Sequence, residues 1–183
     1  VTTDGGVSTS ATGNGTVAYM GTDTGKVVAI NTATGAPVTT FGSNGVATVS
    51  GPVKGRLLLA SGRLYAITPT SVDILNSGRG AKLGAAVYAN AVDVAEHPGN
   101  PAVVYVTAGN YVYKVNAATG AQLAQSADLG AVANRMAIGS SVPGGGSWVL
   151  ALGIEGDGAG VNGKIVMLDP DTLAELYPSI TDP

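Results

Sequence analysis

One pattern limits what this chain can fold into more than any other: a unit of about 42 residues that returns along its length. Val17-Ala18-Tyr19-Met20-Gly21-Thr22 leads through Asp23-Thr24-Gly25 into Lys26-Val27-Val28-Ala29-Ile30 and on to Asn31-Thr32-Ala33-Thr34-Gly35. The same order returns as Val103-Val104-Tyr105-Val106-Thr107, Ala108-Gly109-Asn110, Tyr111-Val112-Tyr113-Lys114-Val115 and Asn116-Ala117-Ala118-Thr119-Gly120. A weaker copy lies between them, from Arg63-Leu64-Tyr65-Ala66-Ile67 through Ser71-Val72-Asp73-Ile74-Leu75 to Asn76-Ser77-Gly78. A fourth runs from Trp148-Val149-Leu150-Ala151-Leu152, across a glycine-rich insertion at 153–163, to Lys164-Ile165-Val166-Met167-Leu168 and Asp169. Asn31, Asn76, Asn116 and Asp169 therefore hold one repeated place, spaced by 45, 40 and 53 residues.

Each unit consists of short β-branched, aliphatic and aromatic runs bounded by Gly, Asn, Asp and Pro, the signature of strands joined by tight turns. The recurring Asn or Asp accepts backbone N–H bonds from residues just ahead of it, and the Thr-Gly that follows tolerates the turn geometry. Helical periodicity is nearly absent; only Ala131–Met136 and Asp171–Leu176 read as potential helical turns, too short to stand alone. Units of this size with three or four strands are blades of a β-propeller, small antiparallel sheets packed face to face. A middle strand covered on both faces reads as a continuous apolar run, as Val27-Val28-Ala29-Ile30 does. A β-sandwich gives no reason for Tyr19, Tyr65 and Tyr105 to recur with the same turn behind them. The expectation is an all-β fold, a β-propeller or propeller-like repeat array of about four blades, forming one repeat domain over 1–183. Its blades fall at about 16–50, 51–90, 91–130 and 131–178.

The run Gly25-Lys26-Val27-Val28-Ala29-Ile30-Asn31-Thr32-Ala33-Thr34-Gly35 resembles the repeat of the pyrroloquinoline-quinone-type β-propellers, and Tyr113-Lys114-Val115-Asn116-Ala117-Ala118-Thr119-Gly120 is similar to it. The resemblance implies the blade and leaves the activity open, because dehydrogenases, outer-membrane scaffolds and surface proteins share it. Complete propellers of that family usually have more than four blades, which implies a small propeller, part of one, or a chain completed by assembly. In the quinone-dependent enzymes a tryptophan four residues after the Thr-Gly locks adjacent blades. Here Thr39 and Ala124 stand in that place.

Composition narrows the function. Charged residues make up 11% of the chain, and nine basic against twelve acidic residues give a net charge of -3 with no basic cluster, which argues against a nucleic-acid surface. Lys54, Arg56 and Arg63 read as solvated charges at strand ends. The longest apolar stretches fall far short of the roughly 20 residues of a membrane helix. With no cysteine, the chain has neither disulfides nor thiolate metal sites. A Thr-, Ser-, Gly- and Ala-rich surface leans toward an extracellular, cell-surface or virion setting, and the start at Val1 without a signal pattern reads as a trimmed or processed end.

Few residues offer chemistry. Glu155, Asp157 and Asn162 in the glycine-rich insertion bring oxygen atoms that suit calcium, although the spacing is not that of an EF-hand. The same insertion, with Glu155, Gly156, Asp157 and Gly158, is a candidate partner-binding loop, as is the turn at 95–101 around the single His97. His97 reads as an exposed turn residue lacking a second histidine for zinc. Asp93 and Glu96 read as lying in the same loop, Trp148 as a packing residue on a strand, and Pro143–Ser147 as a flexible turn. The resulting expectation is a non-catalytic structural or adhesive scaffold that needs no cofactor beyond a candidate calcium ion. It would bind a protein or glycan surface through rim loops, and a homo-oligomer or larger assembly is a further expectation. The alternatives are a fragment of a quinone-dependent dehydrogenase, and a carbohydrate-binding propeller using Tyr88, Tyr111 or Tyr177 as platforms.

Overall fold

The computed structural model describes residues 5–140, 148–156 and 163–181. Among these there is no helix, and sixteen strands form four separate four-stranded antiparallel sheets, each a meander of consecutive strands. The first holds β1 (Thr12–Gly13), β2 (Val17–Gly21), β3 (Lys26–Asn31) and β4 (Val46–Thr48); the second holds β5 (Leu57–Ala60), β6 (Arg63–Ile67), β7 (Val72–Asn76) and β8 (Lys82–Ala86). The third holds β9 (Ala91–Glu96), β10 (Val103–Ala108), β11 (Tyr111–Asn116) and β12 (Gln122–Gln125); the fourth holds β13 (Ala133–Ser140), β14 (Trp148–Ile154), β15 (Lys164–Leu168) and β16 (Ile180–Thr181). The chain divides into two compact units, one running to Ala91 and including Ala118–Ala121, the other comprising Val92–Ala117 and the chain from Gln122.

The repeated Asn/Asp builds one turn. The Asn31 Oδ1 accepts the N–H groups of Ala33 and Thr34, both at 3.0 Å. The Asn76 Oδ1 accepts those of Gly78 at 3.0 Å and Arg79 at 2.9 Å. In the fourth sheet the Asp169 carboxylate accepts those of Asp171 at 2.9 Å and Thr172 at 2.7 Å, which holds its pKa below the ordinary range, the Thr172 N–H contributing most. In all three the N–H of the fourth residue on returns to the Asx carbonyl. That fourth residue has positive φ: Gly35 at 68°, Gly80 at 68°, and Leu173 at 60°. This is a type I turn closed by a left-handed residue, and glycine suits it. Between β5 and β6 the two-residue loop Ser61-Gly62 has φ of 46° and 75°, the sense that matches strand twist.

Within the first unit, Tyr19, Val27, Ala29, Phe41 and Ala47 of the first sheet's segment pack on Leu57, Leu64, Ala66 and Leu75 of the second. Within the second unit, Val103, Tyr105 and Val112 pack on Met136, Leu150, Leu152, Ile154, Val166 and Leu168. Every residue of β10 is buried, as expected of a strand covered on both faces.

The recurring tyrosines explain how adjacent sheets are pinned without tryptophan. The Tyr19 hydroxyl donates to the Ser77 carbonyl at 2.8 Å, and the Tyr105 hydroxyl to the Pro170 carbonyl at 2.6 Å. Ser77 and Pro170 each follow the repeated Asx, so a tyrosine on the second strand of one sheet holds the hairpin turn of the next. Tyr65 has the same strand position and is also buried. The corresponding place in the fourth sheet, set by the pairing of Leu150 with Leu168, is Ala151.

Two expectations of local structure are corrected. Ala131–Met136 is not helical: from Ala133 it is strand β13, with an irregular register between Ala133 and Met136. Asp93 and Glu96 lie in strand β9, not in a loop. Asp93 is buried because its carboxylate has backbone donors, the N–H of Val94 at 2.9 Å and that of Met136 at 3.1 Å.

Candidate functional site

His97 follows β9 and opens the turn into β10. It is not exposed: 8% of its surface reaches solvent. Its Nδ1 accepts the Gly99 N–H at 3.0 Å, its ring centroid is 5.9 Å from that of Tyr105, and its Nε2 is 3.6 Å from the exposed Asp171 carboxylate. The Nε2 is buried and makes no hydrogen bond among the described residues, the carboxylate lying beyond hydrogen-bond reach. Lys114 Nζ lies 3.4 Å from the same Asp171 oxygen and donates to the Asp171 carbonyl at 3.0 Å. The histidine thus closes the 97–100 turn through Nδ1 and lies next to the Asp169 turn, near the Tyr105–Pro170 bond.

Trp148 begins β14 with 38% of its surface exposed. A Cβ built at Gly99 lies 3.7 Å from its Nε1, so the indole stands against the 97–100 turn instead of in the core. At the other end of β14, the Glu155 N–H donates to the Val132 carbonyl at 3.1 Å and its carboxylate accepts from Asn134 Nδ2 at 2.8 Å. Seven strand residues separate these ends; at about 3.3 Å per residue they are roughly 20 Å apart. The two candidate binding regions, around His97 and Glu155, therefore sit at opposite ends of one strand and form no common patch. Asp157, Gly158, Asn162 and Pro143–Ser147 lie outside the described residues.

Among the described residues no three His, Cys, Asp or Glu side chains are grouped to hold a metal ion. The buried carboxylates are committed to structure. Asp73, with none of its side chain exposed, accepts the Ser50 N–H at 2.7 Å, the Ser50 hydroxyl at 3.0 Å and the Ser71 hydroxyl at 2.9 Å, and pairs with Lys82 at 3.0 Å. Burial raises its pKa, but these donors outweigh burial and hold it below the ordinary carboxylate range.

The sequence reading missed an apolar site on the fourth sheet. On the face turned away from the third sheet, Ala137, Gly139, Val149, Ala151 and Met167, with Tyr177 from the following segment, line a cavity of about 340 Å³. Tyr177 is 54% exposed, and Ile165 and Ile180 on the same face are also exposed. The available signal was alternation: Val149, Ala151 and Gly153 occupy every second place of a strand whose other places, Leu150, Leu152 and Ile154, are core. Of the other candidate platforms, Tyr111 is held by its hydroxyl on Asp128 at 3.2 Å.

Comparison with known proteins bears on the fold. No protein-family model matches the sequence, and no curated protein matches it. Among solved structures it is similar to the computationally designed Ika8 protein, with a TM-score of 0.72 and 12% identity over 93% of this chain and 48% of that one. It is similar to BamB from Moraxella catarrhalis (TM-score 0.60, 18% identity, 94% of this chain and 51% of that one). It is also similar to the quinohemoprotein alcohol dehydrogenase ADHIIG from Pseudomonas putida HK5 (0.70, 13%, 96% and 34%). The chain spans about half the length of the first two and a third of the third. The likeness, with four meander sheets, defines a propeller-like repeat array. No helix of the described residues is long and apolar enough to cross a membrane.

Proposed function

We propose that the chain is a non-catalytic structural or adhesive scaffold, displayed on a cell surface or in a secreted or viral particle, that binds a protein or glycan partner through loops at its sheet ends. The observation that carries this reading is where its ionisable side chains are used. Asp73, Asp93, Asp169 and His97 all hold backbone in place, and none stands free in the apolar cavity. Catalysis by acid–base or nucleophilic groups needs such residues poised toward a substrate. Exposed Trp148 beside the 97–100 turn, and Tyr177, supply the amphipathic aromatic surface that recognition favours.

The test is a glycan array and a surface-protein binding screen with the whole chain, beside a variant carrying Trp148→Ser and a variant with the 155–163 insertion shortened to a two-residue turn. Saturable binding lost in either variant, with circular dichroism unchanged, supports the reading. Dye-linked oxidation of alcohols or sugars after addition of the quinone and calcium overturns it.

A further inference from the structure

A buried nitrogen without a hydrogen bond is costly and uncommon in folded chains. His97 Nε2 is such an atom: it has no partner among the described residues, and the Asp171 carboxylate stands 3.6 Å away, just outside bonding distance. The other ring nitrogen is used, Nδ1 accepting the Gly99 N–H at 3.0 Å. A nitrogen that accepts holds no proton, so this bond exists only while the ring is neutral. Around the ring, Tyr105 of β10 lies beside it, Lys114 of β11 reaches the same Asp171 oxygen at 3.4 Å, and Asp171 itself belongs to the turn after β15. Asp169 of that turn is spent on its own N–H groups, and Glu96 lies on the other side of strand β9. Trp148 of β14 adds no charge and stands against the turn at Gly99.

We infer that the 97–100 turn is an acid-sensitive switch, in which protonation of His97 ends the Gly99 bond, pairs Nε2 with Asp171 and reshapes the tip of the turn beside Trp148. An imidazolium carries N–H on both nitrogens, so Nδ1 and the Gly99 amide then meet donor to donor and one has to turn away. Nε2 gains a charge-assisted partner by closing from 3.6 Å to roughly 2.8 Å. The Asp171 side chain is largely exposed and can make that move. Below the tip the hairpin stays closed by the His97 N–H on the Val103 carbonyl at 3.0 Å and the Asn100 N–H on the His97 carbonyl at 3.2 Å. The change is therefore confined to Pro98 and Gly99. The inference stands on the surroundings of the ring and does not depend on the scaffold function.

His97 is the one histidine of the chain, so side-chain titration from about pH 8 to about pH 5 centres on it. Amide NMR spectra of the intact chain over that range are expected to move the Gly99 proton upfield in one step, together with the His97 ring signals, while the Asn100 and Val103 amides stay in place. Emission from Trp148, the only tryptophan, should change over the same step. His97→Gln should abolish both changes with an unchanged circular dichroism spectrum, and Asp171→Asn should move the step to lower pH, because the imidazolium loses its counter-charge. A ring that titrates while the Gly99 amide stays unmoved, a Gly99 shift that persists in His97→Gln, a step left in place by Asp171→Asn, or no step down to about pH 5 would each overturn the inference.

Discussion

The Tyr105 hydroxyl donates to the Pro170 carbonyl across 2.6 Å, from the second strand of one sheet to the hairpin turn of the next. Tyr19 makes the same bond to Ser77, at the same offset from the repeated Asx residue. A side chain on a strand thereby reads the turn of its neighbour, and the turn is where each unit's sequence is most constant. Burial, with Asp171 and Asp169 close by, raises the Tyr105 pKa far above its ordinary value, so the phenol stays a donor wherever the chain is folded.

Removal of that hydroxyl should therefore show in stability. Tyr105→Phe leaves the Pro170 carbonyl without its partner and is expected to destabilise the second unit by about 1–2 kcal/mol. Urea unfolding of Tyr105→Phe and Tyr19→Phe checks this, and an unchanged midpoint in both would show the bonds to be incidental.

Gly35 and Gly80 occupy equivalent turn positions with equal φ, yet their surroundings differ. A Cβ at Gly35 meets nothing within 4 Å, whereas at Gly80 it comes 2.8 Å from the Gly42 nitrogen and 3.0 Å from the Ala47 Cβ. Gly35→Ala should lower stability by about 1 kcal/mol, from left-handed backbone strain alone. Gly80→Ala should lower it by roughly 3 kcal/mol, because clash is added to strain. Thermal melts of the pair separate conformation from contact.

Leu173 takes this turn position in the fourth sheet at φ 60° while its side chain is buried in the core. Leu173→Gly relieves about 1 kcal/mol of backbone strain but removes a core side chain worth about 2–5 kcal/mol. The net result should be destabilisation by roughly 1–4 kcal/mol, measured by denaturant unfolding; a gain in stability would mean that strain outweighs packing.

Asp73 sets a pH dependence. Its folded pKa lies below the ordinary aspartate value of 3.8, so its stabilisation is complete above that value and is lost as pH falls through it toward the folded pKa. Unfolding followed from about pH 6 to about pH 3 should show the unaltered chain weakening at the acid end. Asp73→Asn should be weaker by about 2–3 kcal/mol at the upper end, having lost charge-assisted bonds to Ser50, Ser71 and Lys82, and should change less with pH. Parallel curves for the two proteins would remove Asp73 as the source.

The hairpins could be read from sequence because their causes are local. Asn31, Asn76 and Asp169 bond to residues two and three places ahead, and the strands around them are apolar runs. What escaped reading depends on distant partners. Asp93 interrupts the apolar run of Ala91 to Ala95, and its partner, the Met136 N–H, lies 43 residues on. Asn134 and Arg135 obscured β13 in the same way, since what makes them strand is pairing with β14 and a local irregularity. Pro98-Gly99-Asn100 makes a surface turn and by itself implies an exposed His97; the burial comes from Tyr105 and Asp171, which the turn alone does not reveal. The lining of the fourth-sheet cavity is drawn from three strands and Tyr177, and only the β14 share shows as alternation.

Every one of the four sheets is a meander of neighbouring strands, and none borrows a strand from a remote part of the polypeptide. Copying or excising one contiguous stretch of coding sequence would then add or drop a whole sheet and leave the pairing inside the others untouched. Such a chain can change its number of units in single genetic steps, with only the surfaces at the new junction requiring adjustment.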